Sequence, residues 1–396
     1  MNTHEVFEAW QLELKNLASQ GRLRSFRTPV ERSGPWVGWE GKTLLNLSSN
    51  DYLGLASDPE LNLELARLLY EKAQAQSLPL FGSTASRLMA GAHLVQEELE
   101  AVLESLYPGK KVLLYNSGWH VNTGIIPVIV GPPDVIFADR FVHASLVDGW
   151  KLSGATLHRY RHNDMGHLEE LLKQYRPKHS RSLILTESVF SMDGDEADLS
   201  ALVDLKRRFD SFLYLDEAHA FGVLGKEGGG LAQQEGWDRE VDFLVGTFGK
   251  AMGSMGAFVA CAEIARNTLI QKSRPLIFST ALPPSVTQSV LFYFGQNEEL
   301  AERRERLKKL WKQFHQRARA EGILVRGSTW IIPVVLGTPD RAVQLAQECL
   351  NAGIWGLPIR PPTVPEGSSR LRLSLRSDIE PAFLEPLWSV LAKEFS

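Results

Sequence analysis

The sequence predicts an α/β protein with a large domain built on a mainly parallel seven-stranded sheet and a smaller C-terminal α/β domain. This prediction rests on short, strongly apolar runs that alternate with segments whose apolar residues recur at helical spacing. Strands this apolar are typical of a parallel sheet that helices cover on both faces. The seven predicted strands are residues 112–115, 135–138, 156–160, 183–186, 212–215, 241–245 and 257–261.

Helices are predicted between these strands from the same periodicity and from residues that favour helix ends. Asp164 is a predicted N-cap, and Pro127 should end or kink the helix that begins near Gly118. The other predicted helices of the large domain are residues 93–107, 144–152, 167–175 and 199–209. The C-terminal region adds predicted strands at 331–336, 354–357 and 371–375 and predicted helices at 341–351 and 381–394.

Length and hydrophobic content bound the domain organisation. A chain of 396 residues with 44% hydrophobic residues can form one large core or two domains. We expect an N-terminal arm over residues 1–45, a large domain over 46–285 that holds the sheet, and a small C-terminal domain over 286–396. A long helical region from 285 to about 321 is expected to connect the two domains.

Charge and cysteine content exclude several classes of protein. The net charge is −4, which gives no electrostatic reason to expect a nucleic-acid partner. The two cysteines, Cys261 and Cys349, lie in apolar segments, so neither a disulfide framework nor a cysteine metal site is expected. The N-terminus has no apolar signal core, and the longest apolar run is too short to cross a membrane. A cytoplasmic protein without a metal site or a membrane partner is expected.

A lysine after the strand at 241–245 is the first candidate for chemistry. Lys250 follows Thr247-Phe248-Gly249, and Gly253 and Gly256 keep its surroundings free of bulk. Desolvation at the end of a core strand lowers the pKa of a lysine, which suits a Schiff base with a carbonyl cofactor. On this stretch alone, an ordinary surface lysine is an equally good interpretation.

Other polar residues follow the predicted strands, where ligands of parallel sheets bind. Gly118 opens a helix whose free N–H groups suit a phosphate. Asp216 ends another strand 34 residues before Lys250. Pyridoxal 5'-phosphate (PLP) needs a lysine, a carboxylate for its ring nitrogen and donors for its phosphate, so together these residues fit PLP. No Gly-x-Gly-x-x-Gly follows the first strand, which counts against a dinucleotide site.

Five motifs are distributed along the chain: SNDYLGL at 49–55, DR at 139–140 with HASL at 143–146, ESVFSMDGD at 187–195, DEAH at 216–219 and TFGK at 247–250. On these motifs the chain resembles, over nearly its whole length, the α-oxoamine synthases, PLP-dependent transferases with the aspartate aminotransferase fold. A further segment, IRPPTVP at residues 359–365, points within the family to the member of biotin biosynthesis.

The resemblance implies a role for each matching residue. Lys250 is the Schiff-base lysine and general base, Asp216 pairs with the ring nitrogen, and His143 stacks on the ring and contacts substrate. The further cofactor-binding positions implied are His219 at the phenolic oxygen, Gly118 and Trp119 at the phosphate through backbone N–H groups, and the hydroxyls of Ser191 and Thr247. The further substrate-binding positions implied are Arg24, Arg360, Thr363 and Arg372, with Arg360 ranked ahead of Arg372 for the amino-acid carboxylate.

The implied reaction is a decarboxylative condensation of an amino acid, expected to be L-alanine, with an acyl-CoA or acyl-carrier protein, expected to carry a pimeloyl group. A homodimer is implied, with Ser279 and Thr280 directed to the partner's phosphate. Ala85, where the family usually has glycine, and Trp119, where Phe or Tyr is commoner, depart from the pattern. The alternatives are glycine C-acetyltransferase, 5-aminolevulinate synthase or serine palmitoyltransferase chemistry, an aminotransferase on the same fold, and a non-catalytic homologue.

Overall fold

Strands and helices alternate along most of the chain in the computed structural model, which describes residues 2–24, 26–75 and 79–395. The strands are β1 (Glu31–Ser33), β2 (Trp36–Trp39), β3 (Lys42–Asn46), β4 (Lys111–Tyr115), β5 (Val135–Asp139), β6 (Thr156–Tyr160), β7 (Ser182–Glu187), β8 (Phe212–Asp216), β9 (Phe243–Thr247), β10 (Ala257–Cys261), β11 (Ile331–Gly337), β12 (Ile354–Trp355), β13 (Leu357–Ile359) and β14 (Ser369–Ser374). The helices are α1 (Thr3–Ser19), α2 (Pro59–Gln74), α3 (Leu94–Leu106), α4 (Gly118–Ile129), α5 (Ala144–Ser153), α6 (Met165–Tyr175), α7 (Leu199–Arg208), α8 (Leu231–Glu235), α9 (Glu263–Lys272), α10 (Arg274–Ile277), α11 (Pro284–Gly295), α12 (Asn297–Ala320), α13 (Pro339–Asn351) and α14 (Glu385–Phe395).

The chain divides into two compact units. The larger unit contains residues 50–191 and 195–306, and the smaller unit contains the described residues within 1–49, 192–194 and 307–396. The division after residue 306 falls inside α12 rather than at the expected boundary of 285. The expected N-terminal arm belongs to the smaller unit because β3 pairs in parallel with β12, with Leu45 opposite Ile354.

The larger unit is built on a seven-stranded sheet with the order β4-β10-β9-β8-β7-β5-β6 among the described residues. The pairs from β9 to β6 are parallel, and β10 is antiparallel to both of its neighbours. This confirms the predicted mainly parallel sheet. β9 begins at Phe243 rather than at Val241, because its register with β10 pairs Thr247 with Ala257 and Phe243 with Cys261.

Of the two outcomes expected at Pro127, an end of the helix does not occur, whereas the helical region expected after residue 285 is present and is interrupted once. Helix α4 continues through Pro127 and ends at Ile129, since a proline this close to a helix end removes only one hydrogen bond of the last turn. The long helical region expected after residue 285 is two helices, α11 and α12. They are separated at Gln296, whose backbone angles of φ −89° and ψ 43° lie outside the helical region.

Helices α4 and α5 lie unusually close to each other, and their N-termini carry site residues. A Cβ atom on Gly149 of α5 would lie 2.5 Å from the backbone oxygen of Asn122 in α4, so only glycine fits there. The close approach brings the start of α4, with Gly118, and the start of α5, with His143 as its N-cap, onto the same side of the sheet. The packing of these two helices therefore positions the site.

The smaller unit contains two further sheets among the described residues, with the orders β1-β2-β3-β12 and β11-β14-β13. Arg370 on β14 is almost completely buried, and its Nη1 donates 2.8 Å hydrogen bonds to Asp193 Oδ1 and to the backbone oxygen of Met192. This ion pair fixes the segment 192–194 to the unit. Within the described part of the chain, no helix has an apolar stretch of the length that a membrane crossing needs.

Candidate active site

The larger unit gathers polar side chains at the carboxyl ends of its parallel strands. Asp216 and Glu187 are the last residues of β8 and β7, where they pair with each other in the parallel register. His143 follows β5, and Lys250 follows β9. Because these strand ends share one edge of the sheet, residues that are up to 107 positions apart in sequence meet there.

Asp216 is 5% exposed and receives two hydrogen bonds. Its Oδ2 accepts from Asn122 Nδ2 and its Oδ1 accepts from the backbone N–H of Ala218, both at 2.9 Å. Asn122 is oriented in turn by Tyr214, whose hydroxyl donates to Asn122 Oδ1 at 2.6 Å. These donors stabilise an ionised carboxylate, which is the form that a protonated ring nitrogen needs. Asn122 was not predicted, although it lies one turn after Gly118 on α4.

His143 presents an exposed imidazole ring at the start of α5. Its Nδ1 lies 2.8 Å from Ser145 Oγ and accepts from the Ser145 N–H at 3.3 Å, which assigns the hydrogen of the neutral ring to Nε2. Partial burial lowers the pKa of His143, the negative charge of Asp216 opposes this, and the charge of Lys250 lowers the pKa further. A neutral imidazole at this position suits stacking on a cofactor.

Trp119 lies edge-on to His143, with ring centroids 6.0 Å apart and an interplanar angle of 85°. Its side chain is 47% exposed. The side chain of Trp119 therefore makes the contact with the imidazole, while its backbone N–H lies in the first turn of α4. Because the expected phosphate contact of Trp119 is made by this N–H, it does not depend on whether the side chain is Trp, Phe or Tyr.

Glu187 lies in the candidate site, although no role was predicted for it. It is 3% exposed, and its Oε1 accepts a 2.6 Å hydrogen bond from the backbone N–H of His143. The pKa of Glu187 is raised to about 8, mainly by burial and also by the charge of Asp216, while the charge of Lys250 opposes the shift. The sequence feature that could have identified Glu187 is its position directly after the predicted strand 183–186.

Lys250 is half-buried in the turn after β9. Its charge acts on the pKa values of both His143 and Glu187, so its amine faces the same group of side chains as Asp216. Thr247 supports this turn: its hydroxyl donates to the backbone oxygen of Gly256 at 2.9 Å and accepts from the N–H of Gly249 at 3.2 Å. In this structure the Thr247 hydroxyl therefore holds the loop that carries the lysine.

His219 is 5% exposed, and its Nδ1 lies 2.6 Å from the hydroxyl of Tyr52. The same hydroxyl donates to Asn50 Oδ1 at 3.1 Å. Tyr52 is fully buried and so fixes the orientation of the imidazole. The role of Tyr52 was not predicted, although the residue lies within the SNDYLGL motif.

The N-terminus of α4 has the form of a phosphate site. Ser117 is the N-cap, and its Oγ accepts from the N–H of His120 at 3.3 Å. The N–H groups of Gly118 and Trp119, in the first turn, have no acceptor within the helix. A Cβ atom on Gly118 would meet no atom within 4 Å, so a group the size of a phosphate can approach the backbone. With Asp216 and Lys250, this cradle fits PLP.

Ser191 is half-buried in the turn after β7, within the larger unit. The other predicted substrate residues, apart from His143, lie in the smaller unit. There Arg24 donates to Thr363 Oγ1 at 3.0 Å, and Arg360 donates to the backbone oxygen of Gly21. Arg372 is 8% exposed on β14, and its Nη1 donates to Ser374 Oγ at 2.7 Å.

A cavity of about 580 Å³ in the smaller unit brings several arginines together. Burial lowers the pKa of Arg360, and the like charges of Arg24 and Arg27 lower it further. A bound anion would relieve this repulsion, so the cavity suits a carboxylate or a phosphate. The lining includes Arg22, Arg24, Arg27, Arg32, Arg360 and Thr363.

A second polar cluster supports the strand ends of the larger unit. His162 lies between two carboxylates, with Nδ1 at 2.9 Å from Asp139 and Nε2 at 2.8 Å from Asp195. Although burial lowers the pKa of His162, the two carboxylates raise it to about 10. The imidazolium therefore ties the segment after β5, which leads to His143, to the segment after β7.

This cluster predicts a pH-dependent stability. The pKa of His162 is higher in the folded chain than its ordinary value of 6.5, so its stabilisation is complete below pH 6.5 and is lost as the pH rises through about 10. Urea unfolding of the wild type and of His162→Gln measures this contribution. We expect the difference between their free energies of unfolding to shrink by about 2 kcal/mol from pH 6 to pH 10, a value that is reduced because solvent screens the charges. A constant difference would contradict the ionised bridge.

Comparison with known proteins gives the family. The family described as aminotransferase class I and II matches residues 42–391. "Putative 8-amino-7-oxononanoate synthase" of Pasteurella multocida is 43% identical to the chain, with coverage of 95% of this chain and 96% of the relative. The chain belongs to the α-oxoamine synthase family, within the class I and II aminotransferases. The predicted family and fold are thereby confirmed.

Solved structures agree with the fold of this α-oxoamine synthase. A serine palmitoyltransferase from S. paucimobilis, with a bound adduct of PLP and myriocin, has a TM-score of 0.88 at 27% identity and covers 99% of this chain and 98% of its own. An 8-amino-7-oxononanoate synthase from Francisella tularensis has a TM-score of 0.72 at 27% identity and covers 89% of this chain and 97% of its own.

Proposed function

We propose that this α-oxoamine synthase binds PLP and condenses L-alanine with pimeloyl-CoA or a pimeloyl carrier protein, with release of CO2 and CoA, to give 8-amino-7-oxononanoate for biotin biosynthesis. The observation that carries the chemistry is the meeting of Lys250, Asp216 and His143 at one edge of the sheet. The 43% identity to a relative named "Putative 8-amino-7-oxononanoate synthase" supports the product.

When bound, PLP supplies an electron sink for the negative charge that forms on the amino-acid Cα atom. Lys250 would hold the cofactor through its amine and would serve as the base for the Cα proton. Asp216, held ionised by Asn122 and the Ala218 N–H, keeps the ring nitrogen protonated. His143 would cover one ring face, and His219 and Ser191 would contact polar groups of the ring.

The phosphate is proposed to bind the N–H groups of Gly118 and Trp119 at the start of α4, where the helix dipole favours negative charge. Ser279 and Thr280 are proposed to reach the phosphate of a partner subunit in a homodimer. In the single chain, Asn116 Nδ2 donates to Ser279 Oγ at 3.1 Å and to the backbone oxygen of Thr280 at 2.7 Å, so it holds this segment. A fully active monomer in a solution mass measurement would contradict the dimer.

The test is an assay of the purified protein with alanine, glycine or serine against pimeloyl-, acetyl-, succinyl- and palmitoyl-CoA, with detection of both CoA and CO2. We expect the alanine and pimeloyl-CoA pair to give the highest kcat/KM. The higher TM-score of the serine palmitoyltransferase, 0.88 against 0.72, favours serine with palmitoyl-CoA as the second candidate. Transfer of the amino group to a keto acid without release of CoA would indicate an aminotransferase.

Arginine variants test the proposed substrate contacts. We expect Arg360→Lys to raise the KM for alanine about tenfold with a smaller change in kcat, because lysine cannot make the bidentate contact to a carboxylate. Arg360 lines the arginine-rich cavity, so its effect should exceed that of Arg372→Lys.

Arg67→Lys, on α2 of the larger unit, is a control for the loss of a guanidinium. A larger rise in KM for Arg372→Lys would reverse the assignment of the carboxylate-binding arginine. Arg24→Ala and Thr363→Val should raise the KM for the acyl substrate, since their side chains form one hydrogen-bonded pair at the cavity.

A further inference from the structure

Two buried carboxyl groups lie side by side at the ends of β7 and β8. Glu187 and Asp216 are register partners in a parallel pair, so their side chains project from the same face of the sheet. They are 3% and 5% exposed. Two buried carboxylates on paired strand ends repel each other if both are ionised, which favours retention of a proton by one of them.

The hydrogen bonds of the two groups differ. Asp216 accepts two N–H groups, from Asn122 and Ala218, whereas one donor to Glu187 is observed, the N–H of His143. Hydrogen bonds to a carboxylate favour its ionised form, so Asp216 is the better anion of the pair.

The other charged groups around Glu187 do not reverse this assignment. Lys250, after β9, favours ionisation of Glu187, and Asp139, at the end of β5, opposes it. Burial is the largest influence, and together these effects leave the pKa of Glu187 at about 8. At neutral pH the proton therefore resides mainly on Glu187.

We propose that Glu187 is a positioning residue that carries the single proton of this carboxyl pair, which leaves Asp216 ionised, and that its Oε1 fixes the backbone of His143. The inference rests on the proposed function for the role of Asp216 toward the cofactor ring. The location of the proton and the contact to His143 are properties of the protein itself and can be measured without cofactor.

The first test is a carbon-13 NMR titration of cofactor-free protein labelled at the glutamate side-chain carboxyl carbons. The Glu187 resonance is the one that is missing from the spectrum of Glu187→Gln and present in the spectrum of Glu98→Gln. Glu98 is a control because it is exposed on α3. We expect it to titrate near pH 8. Titration near the ordinary value of 4.5 would overturn the proposal, whether or not the protein binds PLP.

The second test separates the proton from the backbone contact. Glu187→Gln keeps an acceptor oxygen for the His143 N–H, whereas Glu187→Ala removes it. We expect hydrogen exchange of the His143 amide to be at least tenfold faster in Glu187→Ala and near the wild-type rate in Glu187→Gln. Equal exchange in the wild type and Glu187→Ala would overturn the positioning role.

The third test uses the holoenzyme. Ionisation of Glu187 above pH 8 places a second negative charge beside Asp216, so the wild type and Glu98→Gln should show an alkaline limb in kcat with an apparent pKa near 8. Glu187→Gln cannot ionise and should lack that limb, and an unchanged limb would overturn the link to Asp216. If the wild type shows no PLP absorbance, the proposed function fails, while the titration of cofactor-free protein still decides where the proton lies.

Discussion

Replacing Lys250 with alanine is expected to abolish the visible absorbance of protein-bound PLP and to lower kcat by at least about a thousandfold. The physical reason is that one amine serves two purposes. It makes the covalent link to the cofactor, and it moves the Cα proton, a contribution that alone is on the order of 10²–10⁴ in rate. The absorbance spectrum and a CoA-release assay measure the two effects separately.

Lys272→Ala is the matched control, because Lys272 is an exposed lysine in the last turn of α9. It should keep both the spectrum and the rate. A Lys250→Ala protein with the wild-type spectrum would exclude this lysine as the attachment point. Since Lys250 is only half-buried, we expect the melting temperature of the cofactor-free variant to stay within a few degrees of the wild type.

The Asp216→Asn variant is expected to retain cofactor but to lose kcat by on the order of a thousandfold, because a neutral amide cannot hold the ring nitrogen protonated. The structure adds a second effect. One oxygen of Asp216 accepts from the Ala218 N–H and the other accepts from Asn122 Nδ2. In Asp216→Asn an NH₂ group replaces one of these oxygens, so two hydrogen-bond donors must face each other.

This clash of donors in Asp216→Asn should cost about 1–3 kcal/mol in the free energy of unfolding of cofactor-free protein, which urea unfolding measures. Rotating the Asn122 amide would relieve it only by breaking the 2.6 Å bond from Tyr214. Asp210→Asn is the control, since Asp210 has an exposed side chain and a φ of 46° that asparagine tolerates. Normal turnover in Asp216→Asn would refute the assigned role.

Much of the fold was accessible from the sequence because apolar content is local information. The runs that became β5, β7, β8 and β10 lie within one or two residues of their predicted bounds. Boundaries set by long-range pairing were less accessible. Strand β9 is shifted by two residues because its limits come from its register with β10. The N-terminal segment joins the smaller unit through pairing of β3 with β12, some 300 residues away.

The candidate site divides in the same way. Lys250, Asp216, His143, His219 and Gly118 could be predicted because each follows a predicted strand or carries a family motif. The roles of residues that act through another side chain were not predicted. Tyr52 and Asn122 become visible only when packing brings their polar atoms to His219 and Asp216.

The sequence by itself determined the α/β class and the family and named the candidate reactive residues, because hydrophobic periodicity and a motif require only the order of residues along the chain. The tertiary structure decided which groups share an environment. Glu187 is one of many glutamates in the sequence. Its burial beside Asp216 and its bond to the His143 N–H depend on strand register and helix packing, and these three-dimensional properties determine whether a carboxyl group is charged.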